Sequence, residues 1–217
     1  HGDKVRKRFK DVIDPSRLKV VYIPRGGKGF WARDGVPVPV IRTTLDGNDL
    51  LALVDAVYYH RFEPDKEFGK LFDSPVSKHE YYFEGGNFMA NTLNGCLVVN
   101  KDATRKIPDT VFRDHYGCKK LTRLPHVKGI GHADESVKFI NDETVLTDEK
   151  SYVEKLESDG YKVVMLPRPA KRYETYVNSL IVNGTIFVPV FNEKTDDTAL
   201  QIYRDAGFSN VIGLDSK

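Results

Sequence analysis

Three short stretches of this chain carry side chains that could act together on a cationic substrate. Gly131-His132-Ala133-Asp134-Glu135 puts an imidazole and a carboxylate on alternate residues behind a glycine. If that segment is extended, His132 and Asp134 project from one face, because side chains alternate along a strand. Imidazole is the side chain that gains and loses a proton near neutral pH. Trp31-Ala32-Arg33-Asp34 and Phe83-Glu84-Gly85-Gly86-Asn87 add two further carboxylates, Asp34 and Glu84. Carboxylates suit a planar cation such as guanidinium, which they hold through paired, charge-assisted hydrogen bonds. A further carboxylate can fix one imidazole nitrogen and leave the other for proton transfer.

Elements that could position these stretches are legible on either side of them. Val5 to Ile13 reads as a short basic helix, broken by Asp14-Pro15-Ser16. Leu18 to Ile23, apolar and β-branched, reads as a strand, and Arg25 to Gly29 as a flexible loop. Val36 to Ile41 is extended, because its prolines exclude helix. Asp46-Gly47-Asn48 reads as a hairpin turn, with a return strand from Leu50 to Tyr59. Arg61 to Ser77 is charged and reads as an irregular surface excursion.

A recurring unit follows: a β run, a helical stretch, a glycine, then a second β run. It occurs as Gly95–Val99, Pro108–His115, Gly117 and Lys120–Pro125. It recurs as Thr144–Thr147, Lys150–Ser158, Gly160 and Lys162–Pro167, and again as Thr185–Pro189, Asp197–Arg204, Gly207 and Asn210–Asp215. The glycines sit where a helix ends in the left-handed conformation. A repeat of roughly 40 to 50 residues points to blades or arrays, a plain α/β domain with similar crossovers being the other reading. The chemistry-bearing stretches fall between the repeats, where strand ends meet loops.

At these residues the sequence resembles the guanidine-modifying (pentein) superfamily, in its branch of agmatine deiminases and Porphyromonas-type peptidylarginine deiminases. The resemblance rests on Trp31-Ala32-Arg33-Asp34, Glu84-Gly85-Gly86-Asn87, Gly131 to Glu135, and Tyr176-Val177-Asn178-Ser179 with Ile181 to Gly184, in that order. It implies one α/β propeller domain over residues 1–217, of ββαβ-like blades, five when whole, incomplete here at both ends. It implies deimination of an agmatine- or arginine-type substrate, small or peptidyl, through a cysteine-thiouronium intermediate. Asp34 and Asp134 would hold the guanidinium, His132 would move protons, and Glu84 would orient it. Trp31 and Asn178 would line the pocket, and no cofactor or metal would be needed.

The family nucleophile lies in a glycine-rich turn ending His-Cys, and no His-Cys pair occurs here. The expectation is a fragment that does not turn over, or a shortened relative that binds guanidino ligands or a protein partner. After Asp34 the chain reads Gly35-Val36-Pro37, where agmatine deiminases carry Thr/Ser-Gly-Pro. Agmatine, arginine and peptidyl-arginine therefore stay open as substrates. A metal hydrolase using His132, Asp134 and Glu135 is the competing reading, weakened by its single imidazole.

Composition sets the remaining bounds. The 217 residues are 40% hydrophobic and 29% charged, ordinary for a globular protein. Thirty-three basic against 31 acidic residues, a net charge of +2, gives no reason to expect nucleic acid or a membrane surface as partner. Homo-oligomer formation is left open. Cys96 and Cys118 read as two free structural thiols, fitting a reducing, cytoplasmic setting, or a secreted one if a leader was removed.

Overall fold

The computed structural model describes residues 2–23, 31–59, 64–127 and 129–216, which fall into two compact units, 1–81 and 82–217. The first unit opens with helix α1 (Gly2–Phe9), whose basic last turn suits the negative end of the helix dipole. Asp14 accepts from Ser16 N–H at 2.9 Å and starts a 3-10 turn over Pro15–Arg17, which ends this segment as expected. The strand expected over Leu18 to Ile23 is absent: that run pairs with no neighbour among the described residues, and β propensity alone does not make a ladder. The Arg25–Gly29 loop lies outside the described residues.

Helix α2 (Ala32–Gly35) is a single turn carrying Asp34. Strands β1 (Val38–Thr43) and β2 (Asp49–Val57) then form the expected hairpin, paired from Val38 opposite Val54 to Thr43 opposite Asp49. Gly47 takes φ +82°, which the turn demands and glycine adopts without a Cβ penalty.

The irregular excursion expected at 61–77 is instead ordered over most of its length, as helix α3 (Asp65–Phe72) and the start of β3 (Val76–Tyr82). Charge misled the reading. Asp65 and Glu67 sit in the first turn and Lys70 in the last, which favours a helix, and Phe68 meets Phe72 one turn on. Gly69, a poor helix former, is required by packing: a Cβ there would lie 2.9 Å from Val76 Cγ2. β1, β2 and β3 form one sheet with β2 central, which buries Ala52, Leu53 and Val54.

The second unit repeats one pattern three times. β4 (Met89–Ala90) pairs antiparallel with β5 (Gly95–Val99), and helix α4 (Asp109–Tyr116) returns the chain to β6 (Lys120–Leu124), parallel to β5. β7 (Val137–Phe139), β8 (Thr144–Thr147), helix α5 (Val153–Ser158) and β9 (Lys162–Met165) repeat it. So do β10 (Leu180–Val182), β11 (Thr185–Val190), helix α6 (Asp196–Asp205) and β12 (Asn210–Asp215). Gly117, Gly160 and Gly207 take φ +75°, +84° and +101° at the ends of the three helical segments, where the repeats placed them. The helices cross over between parallel strands, which need a long connection.

These α/β blades share cores with their neighbours. Leu97, Val99 and Leu124 of one sheet pack with Val137 and Val145 of the next, and Ala133 joins them from the intervening loop. Leu146 likewise packs with Ile186 and Val188, joined by Tyr176 and Val177. Each inter-blade loop is therefore pinned by its own apolar residues next to its polar ones.

Candidate active site

The loop between β6 and β7 carries His132. Gly131 precedes it at φ +77°, and a Cβ there would sit 2.9 Å from the His126 ring. Both the backbone angle and the close approach call for glycine. His132 is extended (φ −96°, ψ 143°), but Ala133–Glu135 close into a 3-10 turn, with Ser136 N–H donating to Ala133 carbonyl at 3.0 Å. The fully extended geometry expected here therefore fails at Asp134. The two side chains nonetheless stay together: His132 Nδ1 lies 4.0 Å from Asp134 Oδ1. Both are largely buried, His132 4% and Asp134 13% exposed.

On its other nitrogen His132 meets Glu84, with Nε2 to Oε2 at 3.0 Å. Glu84 comes from the junction between β3 and β4, and it is also paired with Lys101 and accepts from Tyr82 Oη at 2.9 Å. Burial works to raise its pKa. Hydrogen bonds from His132 and Lys101, the Lys101 charge and the Tyr82 hydroxyl outweigh it and hold the carboxyl at about 2. Glu84 is then a carboxylate at neutral pH and can only accept, so the proton of this bond must sit on His132 Nε2. The other ring nitrogen, Nδ1, lies on the Asp134 side.

Asn87 holds the two loops in place. Its Nδ2 donates to Val99 carbonyl at 2.8 Å and Thr104 Oγ1 at 2.9 Å. Its Oδ1 accepts from Val99 N–H at 2.7 Å and Ala133 N–H at 3.2 Å. It is fully buried and spends its hydrogen-bonding capacity on backbone and one hydroxyl. Sequence reading quoted Asn87 within its motif and gave it no role. Lys101 was missed as well, though its Nζ bonds Glu84 and reaches Ile130 carbonyl at 3.3 Å. An Asn three residues after the Glu, across Gly85-Gly86, is the signal that could have found the first. Lys101 lies in a polar turn and leaves none.

Asn178 projects from the loop between β9 and β10 and is exposed, while Tyr176, Val177 and Ser179 around it are buried. Tyr203 Oη donates to Tyr176 carbonyl at 2.8 Å, Ser179 Oγ lies 3.0 Å from the same hydroxyl, and Lys138 Nζ donates to Ser179 carbonyl. Asp34 and Trp31 belong to the first unit. Trp31 is 61% exposed, and its carbonyl accepts from Asp34 N–H at 3.1 Å. Glu84, His132 and Asp134 are thus brought together. Among the described residues, no three His, Cys, Asp or Glu side chains form a metal-holding group.

The two cysteines are not free thiols. Cys96 in β5 and Cys118 after α4 form a disulfide, with Cα atoms 5.7 Å apart. The antiparallel and crossover geometry of the blade brings together two residues 22 apart in sequence, a pairing that their spacing does not announce. No described helix is long and apolar enough to cross a membrane.

Residues 3–217 match the family model of Porphyromonas-type peptidyl-arginine deiminase. Among solved structures, the chain is similar to C. jejuni agmatine deiminase, at TM-score 0.79 and 19% identity over 98% of this chain and 73% of that one. It is similar to the agmatine deiminase of Enterococcus faecalis, at TM-score 0.68 and 17% identity over 85% and 69%. DDAH from Pseudomonas aeruginosa aligns at TM-score 0.59 and 16% identity over 88% and 71%. These likenesses establish a shared pentein-type α/β fold. No curated protein matches the sequence.

Proposed function

The chain belongs to the Porphyromonas-type peptidyl-arginine deiminase family, and from that premise we propose that it binds guanidino groups and serves their hydrolytic deimination. Asp134 holds the guanidinium and Asn178 lines its pocket, and the family resemblance assigns guanidinium binding to Asp34 and pocket lining to Trp31 as well. His132 moves protons at Nδ1, and Glu84 positions it. The observation that carries this is the Glu84–His132–Asp134 arrangement, at 3.0 Å and 4.0 Å, in largely buried surroundings.

The balanced reaction adds water to the guanidinium carbon and releases ammonium, leaving a ureido group. In the covalent route a thiol passes its proton to His132 as its sulfur attacks that carbon, His132 gives that proton to the departing ammonia, then takes one from the water that displaces sulfur and returns it to the leaving sulfur. No cofactor enters. Neither Cys96 nor Cys118 provides the thiolate, since each is bonded to the other. That pairing favours a second reading, in which these 217 residues bind guanidino ligands without turnover. It also favours an oxidising compartment over the cytoplasm.

Calorimetry with agmatine, L-arginine and an arginyl peptide, alongside an ammonia assay, tests both. The expected result is binding of at least one ligand, weakened tenfold or more by Asp134→Asn, with no ammonia released. Ammonia release abolished by His132→Ala would favour catalysis by these residues, and failure of every guanidino ligand to bind would overturn the assignment.

A further inference from the structure

Lys101 touches both loops of the His132 site and has no part in the reaction set out above. It stands in the turn after β5. Its N–H donates to Val99 carbonyl and its own carbonyl accepts from Arg105 N–H, each at 2.9 Å. Val99 is the residue that Asn87 clamps, so the lysine stem starts from a fixed point. The side chain is only 17% exposed, and little freedom is left for it to lose. Its ammonium donates to Glu84 Oε2, the same oxygen that meets His132 Nε2 at 3.0 Å. It donates again to Ile130 carbonyl at 3.3 Å, two residues before His132. Tyr82 Oη occupies the other oxygen of Glu84. The carboxylate is therefore gripped by β3, by the turn after β5 and by the His132 loop.

A cation here needs a reason, because it repels the guanidinium that the site is read to hold. The charges around the imidazole supply one. Glu84 lies on its Nε2 side and Asp134 4.0 Å away on its Nδ1 side, with Glu135 on the same loop and the His126 ring against Gly131 beside it. Carboxylates this close favour the imidazolium, while burial of the ring opposes it. An imidazolium is a donor at both nitrogens and cannot take a proton from a thiol or from water. The Lys101 ammonium sits on the oxygen that Glu84 turns to His132, where its charge offsets one of the two carboxylates.

We propose that Lys101 is a positioning residue of the guanidino site: it locks Glu84 to the backbone of the His132 loop and offsets the negative charge around the imidazole, keeping His132 able to accept a proton. The inference rests on the guanidino-binding reading above and adds a residue to that site. Lys101 acts through Glu84 and the loop, without itself meeting the substrate.

Two readouts test it in Lys101→Met and Lys101→Arg: affinity for agmatine and L-arginine at neutral pH, and the titration of the His132 imidazole followed by NMR. Lys101→Met keeps the stem and removes the charge. It should raise the pH at which His132 titrates by roughly one unit, and weaken guanidino binding roughly fivefold or more. The weakening is the discriminating result, because deleting a cation that merely repelled the ligand would tighten binding. Lys101→Arg should return both readouts most of the way to wild type. Unchanged or tighter binding in Lys101→Met would overturn the positioning role, and an unmoved or lowered His132 titration would overturn the charge offset. Should Lys101→Met fail to fold, Lys101→Gln, which keeps a donor without the charge, is read by the same two measurements. If the wild type binds no guanidino ligand, the guanidino reading fails by itself. The titration then still decides whether Lys101 governs His132: a rise upholds it, and no rise removes it.

Discussion

The loops that follow β6 and β9 occupy equivalent places between successive blades, yet they are fastened by different physics. In the first, Ala133 enters the core, and His132 is held by the ionised Glu84, itself paired with Lys101. In the second, Tyr176 and Val177 enter the core, and the backbone on either side of Asn178 is held through its carbonyls, by the neutral Tyr203 hydroxyl at Tyr176 and by Lys138 at Ser179. A loop that must fix an imidazole's tautomer needs a charge it can trust. A loop that only presents an exposed amide can be held through its backbone carbonyls. The two should therefore answer differently to pH and to substitution.

The largest effect is expected at Asn87. Replacing it with Ala leaves the Val99 and Ala133 N–H groups buried without their acceptor and removes two donated bonds. Orphaned buried groups cost about 1–3 kcal/mol each, so a loss of roughly 3–5 kcal/mol in denaturant unfolding is predicted. A loss under about 1 kcal/mol would mean the His132 loop is not fastened through Asn87.

Next is Glu84. Its carboxyl is held at about 2, below its value in an unfolded chain. A depressed carboxyl contributes stability that is present above the unfolded pKa and lost as pH falls through the folded one. Wild type should lose roughly 2–3 kcal/mol from this group as pH drops from about 5 toward 2, and Glu84→Gln should show no such component. Parallel stability–pH curves for the two proteins would remove the electrostatic half of the comparison.

These contrasts also say what could be read from residues alone. The repeats were legible because the ββαβ blades place apolar runs, helix and left-handed glycine at fixed intervals, and Gly117, Gly160 and Gly207 mark the ends of the helical segments. Helix α3 was not legible, because it is charged and its one small residue, Gly69, is set by tertiary contact with Val76. His132 and Glu84 could be named, since chemistry restricts their types. Lys101 and the Cys96–Cys118 bond could not, because both depend on which turns the blade brings together.

Gly131 sharpens the comparison at smaller scale. Alanine there would face the left-handed backbone penalty and a 2.9 Å approach to His126. A loss of about 1–3 kcal/mol is predicted, with weakened guanidino binding because the strain falls next to His132. Gly207→Ala is the control: it takes φ +101° with open space around it, so it should lose stability without losing binding.

The smallest predicted effect is Tyr203→Phe. The hydroxyl bonds Tyr176 carbonyl and Ser179, so its removal should cost about 1–2 kcal/mol. Burial raises the Tyr203 pKa above its ordinary value, despite the Ser179 hydrogen bond, so the group stays neutral well past physiological pH. The loss should therefore be constant from pH 4 to 9, measured as the difference between two unfolding series. If it instead grew or shrank with pH, the hydroxyl would be coupled to a charge, buried Asp148 being the candidate. The Asn178 loop would then be held electrostatically, like its counterpart.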